Sequence, residues 1–245
     1  MKFSQYAVLL TMVFSNLCYA DNVMIAVANN FYKPMKSIAL DFKQATTHEI
    51  QLSTGSTGQL YAQIVNGAPF DIFLSADTKH PKKLVEANLA SQPFTYAKGL
   101  LVLWSAQEDL IDSSGQILTS DRFHYLAMPD PRLAPYGFAA QQTMQKLGQY
   151  QRLKSKMVMG KGLNATYQFI ATSNAELGFI ALSQIFKNGQ YQSGSHWLIP
   201  TDLYSPILQD AVLLRTAKDN PAAKAFIQYL ASNSAKRLIA GFGYQ

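Results

Sequence analysis

The stretch Ser53-Thr54-Gly55-Ser56-Thr57-Gly58 sets four hydroxyls around two glycines. Before it, Ile50 and Leu52 alternate with Glu49 and Gln51, the period of a strand; after it, Leu60, Ile64 and Val65 recur at helical spacing. The turn therefore joins a strand's end to a helix's start. The first N–H groups of a helix lack intrahelical partners and carry the positive end of its dipole, while glycines let a ligand approach the backbone. The chemistry on offer is the capture of a small anion. An ordinary Ser/Thr cap after a flexible turn explains the same residues.

Other turns add neutral donors. Asn29 and Asn30 offer amides and backbone N–H groups at a helix start, with N-capping as the plain alternative. Tyr136, between Pro135 and Gly137, has a phenol able to reach across a cleft or simply to pack in a rigid turn. Leu163, after Gly160-Lys161-Gly162, could give only its backbone N–H, and its side chain reads as core. Other chemistry is poorly supported. His48, His80, His124 and His196 have no metal-pair spacing and no accompanying acid motif. No Gly-Lys-Ser/Thr follows Gly58, and Gly55 and Gly58 are too close for a nucleophile elbow. A hydrolase using Ser56 or Thr57 would need a histidine and an acid that nothing signposts.

These turns need strands before them and helices after them. Val23 to Ala28 reads as a buried strand, with Pro34 opening a helix whose face is Met35, Ile38, Ala39 and Phe42. Asp71 to Leu74 is a further short strand, and Pro81 opens the next helix. The first hundred residues thus alternate strand and helix, which calls for a parallel sheet covered by helices. Leu100 to Trp104 is a continuous apolar run suited to a strand buried on both faces, and the polar stretch 105–120 marks a boundary. A second series follows: a strand at 123–128, a helix after Tyr136, a strand near Val158, a helix after Leu163, and strands at 177–182 and 196–199. Pro206 to Arg215 reads as a long strand returning to the first half, before helices opened by Asn220-Pro221 and near Ser234. Two α/β lobes fit, with ligand at the carboxyl ends of strands.

The N-terminus bounds the compartment. Lys2, an uncharged apolar run from Tyr6 to Phe14 and the ending Cys18-Tyr19-Ala20 form a secretory signal peptide, residues 1–20, with cleavage expected after Ala20. Cys18 is the only cysteine, so the mature chain would hold no disulfide and no thiolate site. Leu17 is a poor fit to the small residue expected before a lipidated cysteine. The formal charge of +6 loses only Lys2 with the leader; it could steer anions but is too dispersed for nucleic acid. About 225 residues remain, enough for one large domain or two lobes.

Several segments carry a family resemblance. They are Ala26 to Phe31, Leu52 to Gly58, Val65-Asn66-Gly67-Ala68-Pro69-Phe70-Asp71 on to Ser75-Ala76-Asp77, Ala134-Pro135-Tyr136-Gly137 and Glu176 to Leu182. In these the chain resembles the substrate-binding proteins of molybdate ABC transporters, over nearly the whole mature length. The resemblance implies a type II two-lobed periplasmic binding protein, each lobe a mainly parallel sheet flanked by helices. Lobe 1 would comprise 21–101 and 208–245, and lobe 2 would comprise 102–207. It implies a non-enzymatic receptor, expected as a monomer without a cofactor or direct metal-ion ligands, that delivers molybdate or tungstate to a membrane permease. Carried over by position, the ligand's donors would be Asn29, Asn30, Thr57, Tyr136 and the backbone at Leu163. Serines are common in the family where Asn30 and Thr57 stand, and some members carry a tyrosine where Ala181 stands. Asn30 reads as a variant donor, and the Thr57 methyl could tighten the pocket. A receptor for sulfate, phosphate or chromate, or a secreted serine hydrolase, is the alternative.

Overall fold

The structure, a computed structural model, describes residues 21–245; the expected signal peptide and Cys18 lie outside the described residues. β1 (Asn22–Ala28) leads through a single 3-10 turn at 29–31 into α1 (Tyr32–Thr46). β2 (Glu49–Gly55), α2 (Thr57–Val65), β3 (Ile72–Leu74), α3 (Lys79–Glu86) and β4 (Phe94–Gly99) follow. The chain then builds β5 (Leu101–Ser105), β6 (Leu126–Pro129), α4 (Pro135–Lys146), α5 (Tyr150–Leu153), β7 (Met157–Gly160), α6 (Leu163–Ala171) and β8 (Leu177–Ala181). The hairpin of β9 (Phe186–Lys187) and β10 (Gln190–Tyr191) and then β11 (Ser195–Leu198) come next. β12 (Ile207–Leu213), α7 (Pro221–Leu230) and α8 (Asn233–Gly241) complete the order.

Two five-stranded sheets result, ordered β2-β1-β3-β12-β4 and β11-β5-β8-β6-β7. Both are mixed rather than mainly parallel. β1 pairs in parallel with β2 and β3, but β12 runs antiparallel to β3 and β4. β6 likewise pairs in parallel with β7 and β8, while β5 is antiparallel to β8 and β11. The reversed strands are those that bring the chain from one sheet to the other. A crossing strand that arrives without a covering helix need not keep the parallel direction of a β-α-β unit.

Period-2 alternation builds the first core. Val23, Ile25 and Val27 face Met35, Ile38 and Phe42 of α1 and Phe226 and Leu230 of α7. Ala26, between them, faces Leu60, Ile64, Phe73 and Leu84 on the other side of the sheet. The second sheet is covered on both faces, and β5 is buried along its whole length, as its unbroken apolar run demands. Pro34 and Pro81 are the third residues of α1 and α3 rather than the first; an unpaired first-turn N–H tolerates proline at either place.

Candidate functional site

Four strands point their carboxyl ends at the gap between the sheets: β1 and β2 from one, β6 and β7 from the other. Each is followed by the N-terminus of a helical element, in turn the 3-10 turn at 29–31, α2, α4 and α6. Asn29, Asn30, Thr57, Tyr136 and Leu163, from separate places in the sequence, line one small, tight cavity there of about 10 Å³. Ala28, Ser56, Ala76, Ala134 and Pro135 complete its wall. Asn30, Thr57, Tyr136 and Leu163 are each at most 3% exposed, so the lobes are shut over it.

Hydrogen bonds between the lobes hold this closure. The Gly58 N–H, in the first turn of α2, donates to the Leu133 carbonyl at 3.0 Å. Asn164 Nδ2 donates to Asn29 Oδ1 at 3.1 Å, and the same oxygen accepts from Thr54 Oγ1 at 3.0 Å. Ser183 Oγ donates to the Asn30 carbonyl at 2.8 Å. Gly162 approaches so closely that an added Cβ would lie 2.5 Å from Asn29 Nδ2.

Two hydroxyls of the wall already accept from protein. Thr57 Oγ1 accepts from the Ala76 N–H at 3.1 Å, and Tyr136 Oη accepts from Gln209 Nε2 at 3.3 Å. A hydroxyl that accepts from protein still has its proton to give. The backbone N–H groups of Thr57 and Leu163 are first residues of α2 and α6 and so lack an intrahelical acceptor. Ser56 is different. It caps α2 in a capping box, accepting from the Gln59 N–H while Gln59 Oε1 accepts from both its N–H and its hydroxyl. Its hydroxyl is spent on Gln59, and among the described residues that line the cavity there is no histidine or carboxylate.

Among the described residues no charged side chain lines the cavity. Arg132, in the turn before α4, closes on Asp130 at 2.7 Å, and that bond holds the Asp130 carboxyl below its usual range. Burial acts to raise the Asp77 carboxyl, but hydrogen bonds from His80 and Ser75 outweigh it and leave it lowered. Burial, with neighbouring tyrosines, pushes the Tyr136 phenol well above its ordinary value. Burial likewise takes Tyr244 up to about 12. Both stay protonated at neutral pH. Among the described residues no cluster of histidine, cysteine and carboxylate groups could hold a metal ion.

Sequence reasoning missed the layer behind the wall. Gln209 of β12 is fully buried, with Tyr96, Asn30, Tyr136 and Tyr244 around it. A polar residue inside the apolar run of a long strand was the available signal. Ser56-Thr57-Gly58-Gln59 also carries the Ser-x-x-Gln spacing of a capping box, which marks Ser56 as the cap and Thr57 as the first helical residue.

Comparison with known proteins places this geometry. The family described as bacterial extracellular solute-binding protein matches residues 23–245. The molybdate-binding protein ModA of Azotobacter vinelandii is 48% identical over 227 residues, 92% of this chain and 90% of the relative. Its namesake from Rhodobacter capsulatus is 47% identical, covering 92% of this chain and 88% of the relative. The solved structure of the A. vinelandii periplasmic molybdate-binding protein superposes with a TM-score of 0.89 at 36% identity, over 91% of this chain and 98% of that one. The chain belongs to the bacterial extracellular solute-binding protein family, alongside these molybdate-binding proteins.

Proposed function

We propose that this chain is the periplasmic molybdate receptor of an ABC transporter, a binding protein and not an enzyme. It takes tungstate by the same geometry and delivers its ligand to a membrane permease. The observation that carries the reading is the closed, uncharged cavity at four helix N-termini, lined by Asn29, Asn30, Thr57, Tyr136 and Leu163. We take 21–101 with 208–245 as one lobe and 102–207 as the other, working as a monomer after loss of a signal peptide ending at Ala20. Donors come from both lobes, so a bound dianion rewards closure. Hydrogen bonds to a charged group contribute about 1.5–3 kcal/mol each, and five or more offset desolvation and closure while leaving the roughly 8–12 kcal/mol of micromolar to nanomolar binding. Sulfate is also a tetrahedral dianion, so discrimination falls to cavity size, to which the Thr57 methyl contributes.

Thermal melting with a panel of oxyanions tests the assignment. At about 1,000 times its dissociation constant a ligand adds about 4 kcal/mol of stability. Molybdate and tungstate are expected to raise the melting temperature clearly; a rise with sulfate, phosphate or chromate but not with these two would refute the assignment.

The neutral wall makes a second prediction. Between about pH 6 and 9 no wall residue changes charge, so molybdate affinity should vary by less than about twofold. Above about pH 10 the exposed tyrosines of the unfolded chain ionise while Tyr96, Tyr136 and Tyr244 resist, their values raised by burial. Stability from these raised values is complete below the unfolded value and is lost as pH climbs through the folded ones. Melting temperature measured against pH should therefore fall in that alkaline window.

A further inference from the structure

Behind the cavity lies a buried amide that does not itself line it. Gln209 Oε1 accepts from Asn30 Nδ2 at 2.8 Å and from Tyr96 Oη at 3.1 Å, and Gln209 Nε2 donates to Tyr136 Oη at 3.3 Å. β12 pairs irregularly with β4 at this point: Gln209 faces Ala97 while Asp210 faces Thr95, so Tyr96 is the extra residue of a bulge. Such bulges re-aim side chains. Here the bulge sits where Tyr96 reaches the amide, and Tyr96 also lies 3.1 Å from the Ser75 carbonyl.

The donor count around this amide is exclusive. A phenol has one proton, and a primary amide has a donor end and an acceptor end. With Nε2 on Tyr136, the phenol's acceptor side is filled, and its one proton can go only to the neighbouring Tyr244 hydroxyl or to a ligand in the cavity. The other end then requires Asn30 to present Nδ2, whose second hydrogen goes to Tyr244 Oη at 2.9 Å. The consequence is visible: Asn30 Oδ1 is buried without a hydrogen-bond partner among the described residues. Turning Gln209 over would reverse everything. Oε1 would take the proton of Tyr136, and Nε2 would face Asn30 Oδ1 and free Asn30 Nδ2. Tyr136 and Asn30 cannot both turn side-chain donors to the cavity while Gln209 bonds to both.

From this we infer that Gln209 is a positioning residue for oxyanion binding: it selects Tyr136, rather than the Asn30 side chain, as the donor facing the ligand. Asn30 then serves through its backbone at the start of its helical turn, and its amide anchors the relay. Asn30 Nδ2 holds the acceptor end at 2.8 Å, and Tyr96, outside the cavity wall, divides its one proton between that end and the Ser75 carbonyl, each at 3.1 Å. The inference rests on the oxyanion-receptor reading and adds to it a residue that the ligand never touches.

A double-mutant cycle tests it, because residues acting through one another give non-additive effects. Calorimetric titration with molybdate would be run on the wild type, Gln209→Met, Tyr136→Phe and the double variant, with melting curves confirming that each is folded. Gln209→Met is expected to weaken binding about 3–10-fold in the wild-type background and less than about twofold in the Tyr136→Phe background, where there is no phenol proton to direct. Tyr96→Phe, which removes one hydroxyl and keeps the ring, carries the same test if the core rejects methionine: a loss with Tyr136 present and none in the Tyr136→Phe background. Equal losses in both backgrounds would overturn the role of Gln209, because a purely structural contribution would be additive. The two readings separate cleanly. A wild type that binds molybdate with an additive cycle leaves the receptor standing and removes only this inference. A wild type that binds a different panel oxyanion refutes molybdate, and the cycle is then decided with that ion. Binding of none overturns both.

Discussion

Tyr136→Phe is expected to weaken molybdate binding by about 10–100-fold while leaving the fold in place. Losing one hydrogen bond to a charged group costs about 1.5–3 kcal/mol, and each 1.4 kcal/mol is tenfold in affinity. The ring is fully buried in the core that covers the second sheet, and phenylalanine keeps that packing. What disappears is the phenol proton at the cavity and the acceptor for Gln209 Nε2. The second loss leaves a buried donor unpaired and should lower the stability of the ligand-free protein by about 1–3 kcal/mol. Titration calorimetry reads the first effect and melting without ligand reads the second. Unchanged affinity would remove Tyr136 from the site.

Gly99→Ala is expected to act on the same phenol from behind and to cost more. A Cβ at Gly99 would lie 2.0 Å from Tyr136 Oη, 2.9 Å from Tyr136 Cζ and 2.6 Å from Gln209 Nε2. All three distances are below any real Cβ contact, so the phenol and the amide must both shift. Overpacking of this kind costs about 1–3 kcal/mol of stability. Because the displaced groups are the donor and the residue that orients it, affinity should fall by at least about 100-fold, beyond the loss of the phenol alone. The combination with Tyr136→Phe gives the sharper check. Removing Oη takes away the closest clash, so the double variant should melt higher than Gly99→Ala alone. A double variant that melts lower would show that the steric account of Gly99 is wrong.

Much of the scaffold was legible because its signals are local. The alternation in Val23 to Ala28, the unbroken run at β5 and the apolar faces of α1 and α7 follow from period and burial. β4 escaped notice because Phe94 to Gly99 mixes Thr95 and Lys98 with its apolar residues, and only Ala97 and Gly99 are buried. The direction of β12 escaped for another reason: nothing within a strand states whether its neighbour runs with it or against it. The mixed sheets became visible only once the pairing was known.

The wall of the cavity was legible and its backing was not. Asn29, Asn30, Thr57, Tyr136 and Leu163 lie where a strand's end passes into the first turn of a helical element, a design that recurs in the sequence and can be recognised there. Leu163 is both things that its sequence allowed, a buried side chain and a first helical N–H. Gln209 and Tyr244 reach Asn30 from 179 and 214 residues away, and no spacing rule spans that distance. Their contribution depends on the direction of single protons, which the identity of a residue does not specify. The Asn30 amide shows the difference. By type it is a donor for an anion, yet here both of its hydrogens face protein acceptors.

A closed, uncharged cavity should hold a tetrahedral dianion of molybdate's size through neutral donors alone. Calorimetric titration of the chain lacking residues 1–20, with molybdate and sulfate in parallel, tests it most directly. One molybdate per chain is expected, with a dissociation constant of about a micromolar or tighter, and sulfate weaker by at least about 100-fold. Equal affinity for the two ions, or no heat of binding from molybdate, would contradict it.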